Sequence, residues 1–267
     1  MIWSKARKSS DGRFSWGQKG MSQEAVLEGA VSVCAALEAQ NRAIEAVYVQ
    51  RGKRSRSISR VERMARAAKV PVHTVERAFV DEHASGKTHG GVIALVGPRH
   101  FVALPDLLPV QAAPFVVMLD GIEDPFNFGA AVRAVYAAGA HGLVLRPRNW
   151  MSAAGVVARS SAGASEQILV AIAETVQEAA AFFRTKGLRI VCAAKNKSAS
   201  LYEADLTVPL FLVVGGEKRG ITRSFLDQAD LYVEIPYGRS FGRSLGTASA
   251  VAVLAFEVMR QRIMSTG

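Results

Sequence analysis

Three glycine-punctuated segments carry the residue types in this chain that could do chemistry. The first holds Asp120, then Asp124-Pro125-Phe126-Asn127-Phe128-Gly129, then Arg133 four residues on. The second is Gly215-Gly216-Glu217-Lys218-Arg219-Gly220. The third joins Ile235-Pro236 to Ser244-Leu245-Gly246-Thr247. Glycine lets backbone come close to a ligand, and main-chain N–H and C=O groups then become its polar contacts. Pro125 and Gly129 permit a tight turn, and Asn127 falls at the start of a following helix, where its side chain can cap. Arg133 lies on the helix face that Val132 and Val135 do not use. By spacing alone, this first segment is an ordinary strand–turn–helix with a surface arginine.

Nucleotide-triphosphate chemistry is disfavoured. Gly86-Lys87-Thr88 ends like a phosphate loop, but Asp81 stands where the first glycine belongs. Gly215 and Gly220 have the right separation, but Ile221 occupies the lysine position. Neither segment can cradle a triphosphate in the usual way, and no G-x-G-x-x-G stands at a strand-to-helix turn. Residues 51–69 hold eight Lys/Arg and one acid, Glu62. That run, with Arg51, Lys53, Arg54 and Arg56 at its head, reads either as a solvated face or as a set of phosphate contacts that tether RNA regardless of sequence. His89, in a glycine-rich turn, is a further candidate RNA contact. The histidines show no metal-ligand spacing, and no metal is expected.

The whole composition agrees with a polyanionic partner. The chain has 267 residues and a formal net charge of +10, with a pI near 9.9. Such a balance favours RNA, DNA or an anionic surface. With 49% hydrophobic and 21% charged residues, the chain reads as globular and long enough for two cores. Cys34 and Cys192 form no C-x-x-C, so a reduced, cytoplasmic setting is expected. Residues 1–21 mix Lys and Arg with Trp3, Phe14 and Trp16 but lack an apolar signal core, and read as a basic, flexible arm. No apolar tract is long enough to span a membrane.

The elements that must position these residues follow from hydrophobic periodicity. Val26, Ala30, Val33 and Leu37 predict one helix face, and Ser59-Arg60-Val61-Glu62 has the spacing of a capping box that starts another helix. Strands are predicted over 44–49, 70–75 and 91–96, giving a small α/β domain at 22–97. Pro98, Pro105, Pro109 and Pro114 predict an extended linker at 98–113. Beyond it, continuous apolar runs at 115–119, 142–145, 168–171, 189–193, 210–214 and 231–235 predict a parallel sheet covered on both faces. Helical patterns at 127–138, 174–186, 223–228 and 245–262 separate most of them. The C-terminal domain is placed at 114–267.

In this order, the three segments resemble the motifs of the SpoU (TrmH) family of RNA ribose methyltransferases. The family pattern has an acid, Asp-Pro-x-Asn-x-Gly and an arginine, then Gly-x-Glu-x-x-Gly, then a third segment matched by Ile235-Pro236 and Ser244-Leu245. Glu28-Gly29-Ala30-Val31 and Gly86-Lys87-Thr88-His89-Gly90-Gly91-Val92 are similar to the opening and closing phrases of the substrate-binding domain that precedes many SpoU catalytic domains. The resemblance implies an α/β RNA-binding domain followed by an α/β trefoil-knot (SPOUT) domain, working as a homodimer. It implies S-adenosylmethionine as cofactor, held largely through the backbone at Gly215, Gly216, Gly220, Ile235, Pro236, Leu245 and Gly246. It implies Arg133, Asn127, Glu217 and Ser244 as catalytic residues. This chain departs from the family at Gly246, where the third motif has asparagine.

The expected function is transfer of a methyl group from S-adenosylmethionine to a ribose 2′-hydroxyl in rRNA or tRNA. The alternative is a non-catalytic RNA-binding protein that keeps the fold. A DNA-binding module is disfavoured, because no helix-turn-helix or zinc pattern appears and the chemistry needs the 2′-hydroxyl of RNA.

Overall fold

The computed structural model describes residues 25–147, 153–194, 198–216 and 228–265, and the backbone of 6–8 and 14–16. The chain divides into two units, Met1–His100 with Asn149–Gln167, and Phe101–Arg148 with Ile168–Gly267. Where the sequence predicts an arm without elements, β1 (Ala6–Lys8) and β2 (Phe14–Trp16) pair antiparallel, Ala6 opposite Trp16.

In the first unit, β3 (Ala25–Glu28), β4 (Arg42–Gln50), β5 (Val72–Val75) and β6 (Val92–Arg99) form a sheet in the order β3-β6-β4-β5. Alternation along the strands sends Val47, Val49, Val92 and Ala94 to one core, and Ala46, Tyr48, Ile93 and Leu95 to another. The predicted helical face through Val26 is divided. Val26 lies in β3, and α1 (Ala30–Ala39) starts only after Gly29, whose φ of +83° suits glycine. α2 (Arg56–Ala67) begins earlier than the Ser59 signal suggests. Ser55 caps it, its hydroxyl accepting the Ile58 N–H at 3.2 Å. Burial of Ile58 with Val61 and Ala65 needs that extra turn. α3 (Arg77–His83) brings Val80 to the second core.

The second unit runs β7 (Phe115–Asp120), α4 (Pro125–Ala137) and β8 (Gly142–Leu145). The chain then passes through α5 (Ala154–Ser160) and α6 (Ala164–Gln167), which belong to the first unit. It returns for β9 (Val170–Ile172), α7 (Val176–Thr185), β10 (Arg189–Ala193), β11 (Ala199–Ser200), β12 (Leu210–Gly215), β13 (Leu231–Glu234) and α8 (Thr247–Ser265). All seven strands are parallel, ordered β11-β13-β10-β12-β7-β8-β9. β7, β8 and nearly all of β12 are buried, as continuous apolarity requires. Phe183 of α7 packs on Phe211 of β12, ring centroids 4.6 Å apart. Arg262 secures the end of α8 through the carbonyls of Ala113, Pro114 and Val208 at 2.7, 3.0 and 2.8 Å.

The proline-containing span is not extended throughout. Leu104–Leu107 forms a 3-10 turn, with Asp106 accepting the Ala103 N–H at 2.9 Å. Leu107 is buried over Gly142, and burial of that one side chain draws the segment onto the sheet. Of the predicted helix at 223–228, residues 223–227 lie outside the described residues. No described helix is long and apolar enough to cross a membrane.

Candidate active site

Parallel strands send all their C-terminal ends to one edge, and in open α/β sheets that edge is where ligands bind. The three motif segments leave the sheet there, from β7, β12 and β13. β7 and β13 are separated by β12 and β10, so three strand spacings, roughly 14 Å, span the set.

β7 and β12 are in register to their ends, Asp120 opposite Gly215. The Gly216 N–H donates to the Asp120 carbonyl at 2.6 Å. A Cβ at Gly216 would lie 2.1 Å from the Gly121 carbonyl oxygen and 3.0 Å from the Ile122 nitrogen. Two backbone segments therefore touch where side chains would keep them apart, and Gly216 is required by space. Gly121, at φ +79°, makes the turn on the facing side.

At the start of α4, Asp124 is the cap, and not Asn127. The Asp124 carboxylate accepts the Asn127 N–H at 2.7 Å, with Pro125 in the first turn. The Asn127 side-chain amide is half-buried and bonds nothing among the described residues. Gly129 forms no turn; it is buried within α4. Arg133 lies eight residues into the helix, about 12 Å along its axis. It is exposed on the stripe that also carries Phe126 and Tyr136.

The third segment approaches α8. Ile235 is half-buried, while Pro236, Ser244, Leu245 and Gly246 are exposed. The Leu245 N–H donates to the Tyr237 hydroxyl at 3.0 Å, which pins the loop to the strand it left. The Ala250 N–H donates to the Gly246 carbonyl at 3.0 Å, so Gly246 is the N-cap of α8 and Thr247 its buried first residue. A Cβ at Gly246 would meet nothing within 4 Å. Glu217 and Gly220 lie outside the described residues. Cys192, near the end of β10, is no nucleophile, because burial pushes its thiol up to about 12.

The candidate RNA contacts belong to the first unit. Arg51, Lys53 and Arg54 are exposed ahead of α2, and Arg56 is its first residue. The stem of Lys53 lies over Gly91, so this basic turn and the glycine-rich turn at His89 are neighbours. His89 itself is buried. Its Nδ1 accepts the Gly91 N–H at 3.1 Å, which leaves Nε2 to donate to Asp81 at 2.9 Å.

The SpoU rRNA Methylase family profile matches residues 114–256, and the profile for RNA 2′-O ribose methyltransferase substrate binding matches 26–102. The chain belongs to the SpoU rRNA methylase family. It is an S-adenosylmethionine-dependent RNA methyltransferase that acts on a ribose 2′-hydroxyl. It is 29% identical over 245 residues to the 23S rRNA (guanosine-2′-O-)-methyltransferase RlmB of Shewanella oneidensis, covering 91% of this chain and 99% of that one. It is 30% identical over 241 residues to RlmB of Photorhabdus laumondii, covering 89% and 98%. The crystal structure of the SpoU methyltransferase AviRb from Streptomyces viridochromogenes with the cofactor AdoMet superposes with a TM-score of 0.75 at 21% identity, over 91% of this chain and 92% of that one. That likeness is one of fold.

Gly246 has open space beside it and Pro236, Ser244 and Leu245 are exposed, so backbone at this edge of the sheet leaves room for the cofactor. Sequence reasoning missed two contributors to this edge: Tyr237, and an ion pair between Asp120 and Arg146.

Proposed function

We propose that this SpoU enzyme methylates a guanosine ribose in 23S rRNA, the substrate named for its relatives from S. oneidensis and P. laumondii. The observation that carries the site is the departure of all three motif segments from one edge of a single parallel sheet. In this reading, backbone at Gly215, Gly216 and Gly220, with Ile235-Pro236 and Leu245-Gly246, holds S-adenosylmethionine. The cofactor supplies a methyl group on a sulfonium, a good electrophile, so the protein's main task is alignment of the hydroxyl. Asn127 and Ser244 offer hydrogen bonds to the ribose, and Glu217 completes the site. A guanidinium stays protonated at neutral pH, so Arg133 stabilises the developing alkoxide or an adjacent phosphate, and the hydroxyl's proton passes to solvent water rather than to Arg133.

The same reading assigns the arm at 1–21 and the domain at 22–97 to RNA, through Arg51, Lys53, Arg54, Arg56 and the His89 turn. The linker at 98–113 joins them to the transferase at 114–267, threaded as the family's trefoil. It also makes the enzyme a homodimer. Phe126 and Tyr136 on α4, with Phe256, Ile263 and Met264 on α8, leave large apolar side chains exposed on two helices that pack together. Such a surface suits a protein partner, and Arg133 sits within it. Two buried free thiols, Cys34 and Cys192, suit a reducing cytoplasm.

Arg133→Ala tests the assignment. Methyl transfer to rRNA, read with tritiated cofactor, is expected to fall by at least 100-fold, on the order of an active-site charge contact. Cofactor affinity by calorimetry should stay within about twofold, because Arg133 stands apart from the backbone that holds it. Near-normal turnover removes Arg133 from the mechanism. Ribose-methylation mapping across total RNA, with and without the protein, identifies the nucleotide.

A further inference from the structure

Asp120 is the last residue of β7 and only 3% exposed. A carboxylate so placed needs a charged partner. It has one in Arg146, whose Nε donates to Asp120 Oδ1 at 2.6 Å. The pairing follows from strand register. Met118 stands opposite Val144, so two residues further on Asp120 stands opposite Arg146, just past the end of β8. Yet the arginine is not consumed by the pair. Its side chain is 49% exposed, and its Nη atoms bond nothing among the described residues.

We propose that Arg146 is an RNA-binding residue of the active site, held by Asp120 to grip a backbone phosphate next to the target ribose. This rests on the reading of the β7–β12–β13 edge as the methyl-transfer site. Arginine suits the task because four of its five N–H donors remain and its planar fork matches two phosphate oxygens. A guanidinium already fixed at Nε gives up less side-chain freedom on binding than a free surface arginine.

The sheet order separates the RNA from the other anion at hand, the cofactor's carboxylate. Gly215-Gly216 and Ile235-Pro236 lie on one side of β7, at β12 and β13. Arg146 lies on the opposite side, at β8. It is one strand spacing, about 4.8 Å, beyond β7. Its backbone therefore lies two strand spacings, roughly 10 Å, from β12 and its glycines.

The test uses full-length protein and a 23S rRNA transcript. Arg146→Gln is expected to raise the RNA KM about three- to tenfold and to lower the slope of log affinity against log salt by about 0.7–0.9, one phosphate contact. Arg146→Lys, which keeps the charge, should keep that slope while recovering only part of the KM. The cofactor Kd by calorimetry should not move. If Arg146→Gln unfolds because Asp120 is left unpaired, Asp120→Asn/Arg146→Gln removes both charges and is expected to give the same RNA phenotype. An unchanged slope and KM in a folded variant overturns the proposal, as does a weakened cofactor Kd with RNA binding intact. Arg133→Ala in the same assay separates the two readings: retained methylation there overturns the site reading, whereas loss there beside an Arg146→Gln protein with unchanged KM and slope overturns only this proposal.

Discussion

Gly216→Ala isolates the closest backbone contact of the site. The added Cβ would meet the Gly121 carbonyl oxygen at 2.1 Å and its carbon at 2.4 Å. Carbon and oxygen settle at about 3.3–3.6 Å, so the two segments must part by roughly 1.2 Å or more. Both obstructing atoms are backbone, and no rotamer change relieves them. Parting also lengthens the 2.6 Å hydrogen bond from Gly216 N–H to the Asp120 carbonyl, a loss of about 1 kcal/mol. Overpacking adds about 1–3 kcal/mol, so the substitution should cost about 2–4 kcal/mol. On a domain of this size that lowers the Tm by roughly 4–16 °C. Backbone proposed to hold the cofactor moves with it, and S-adenosylmethionine affinity by calorimetry should drop about tenfold or more, the equivalent of 1.4 kcal/mol. Gly238→Ala is the control, since a Cβ there meets nothing within 4 Å; it should match wild type in both assays. A Gly216→Ala protein with unchanged Tm and cofactor Kd would refute the reasoning.

Glu166→Gln should destabilise the first unit by about 3–5 kcal/mol in urea unfolding, because it strands buried Arg42, whose Nη2 is 3.1 Å from Glu166 Oε1. Arg99 beside it is already lowered to about 10 by burial, with Glu166 the charge that opposes the shift; a loss under about 1 kcal/mol contradicts this account. Gly246→Asn restores the family residue at the N-cap of α8, where a side chain has open space. It should raise stability by a few tenths of a kcal/mol through capping, with turnover at least equal to wild type; a fall in turnover would mean that the site needs the bare backbone.

The parallel sheet was legible because its strands are continuous apolar runs, and 142–145 and 189–193 match the observed β8 and β10 residue for residue. Failures cluster where a local signal competes with tertiary burial. Val26 shares helical spacing with Val33 and Leu37, yet it joins β3 because Gly29 turns the chain at a positive φ. Ser59 and Glu62 look like a capping box, but Ser55 comes first and Ile58 must be buried. Residues 153–167 have no periodicity that reveals where they dock. Their place depends on long-range polar contacts, Arg159 with Glu28 and Glu166 with Arg42, that join positions more than 120 residues apart.

The site shows the same division between what spacing encodes and what only packing reveals. Gly216 and Gly246 both fall within motif segments, yet the family pattern fixes neither as glycine: Gly216 stands at the free position of Gly-x-Glu-x-x-Gly, and Gly246 stands where the family has asparagine. One has backbone 2.1 Å from where its side chain would begin, and the other has nothing within 4 Å. Gly216 is therefore constrained by the contact between β7 and β12, whereas Gly246 only does without the better cap that an asparagine gives. The asparagine's absence leaves the helix start, the hydrogen bond to Ala250 and the buried Thr247 in place. A departure from the family motif at a position that tolerates either residue sterically is weak ground for a lost activity. A side chain at Gly216, where the motif leaves the residue free, costs more in this fold than one at Gly246, because there the backbone itself would have to move.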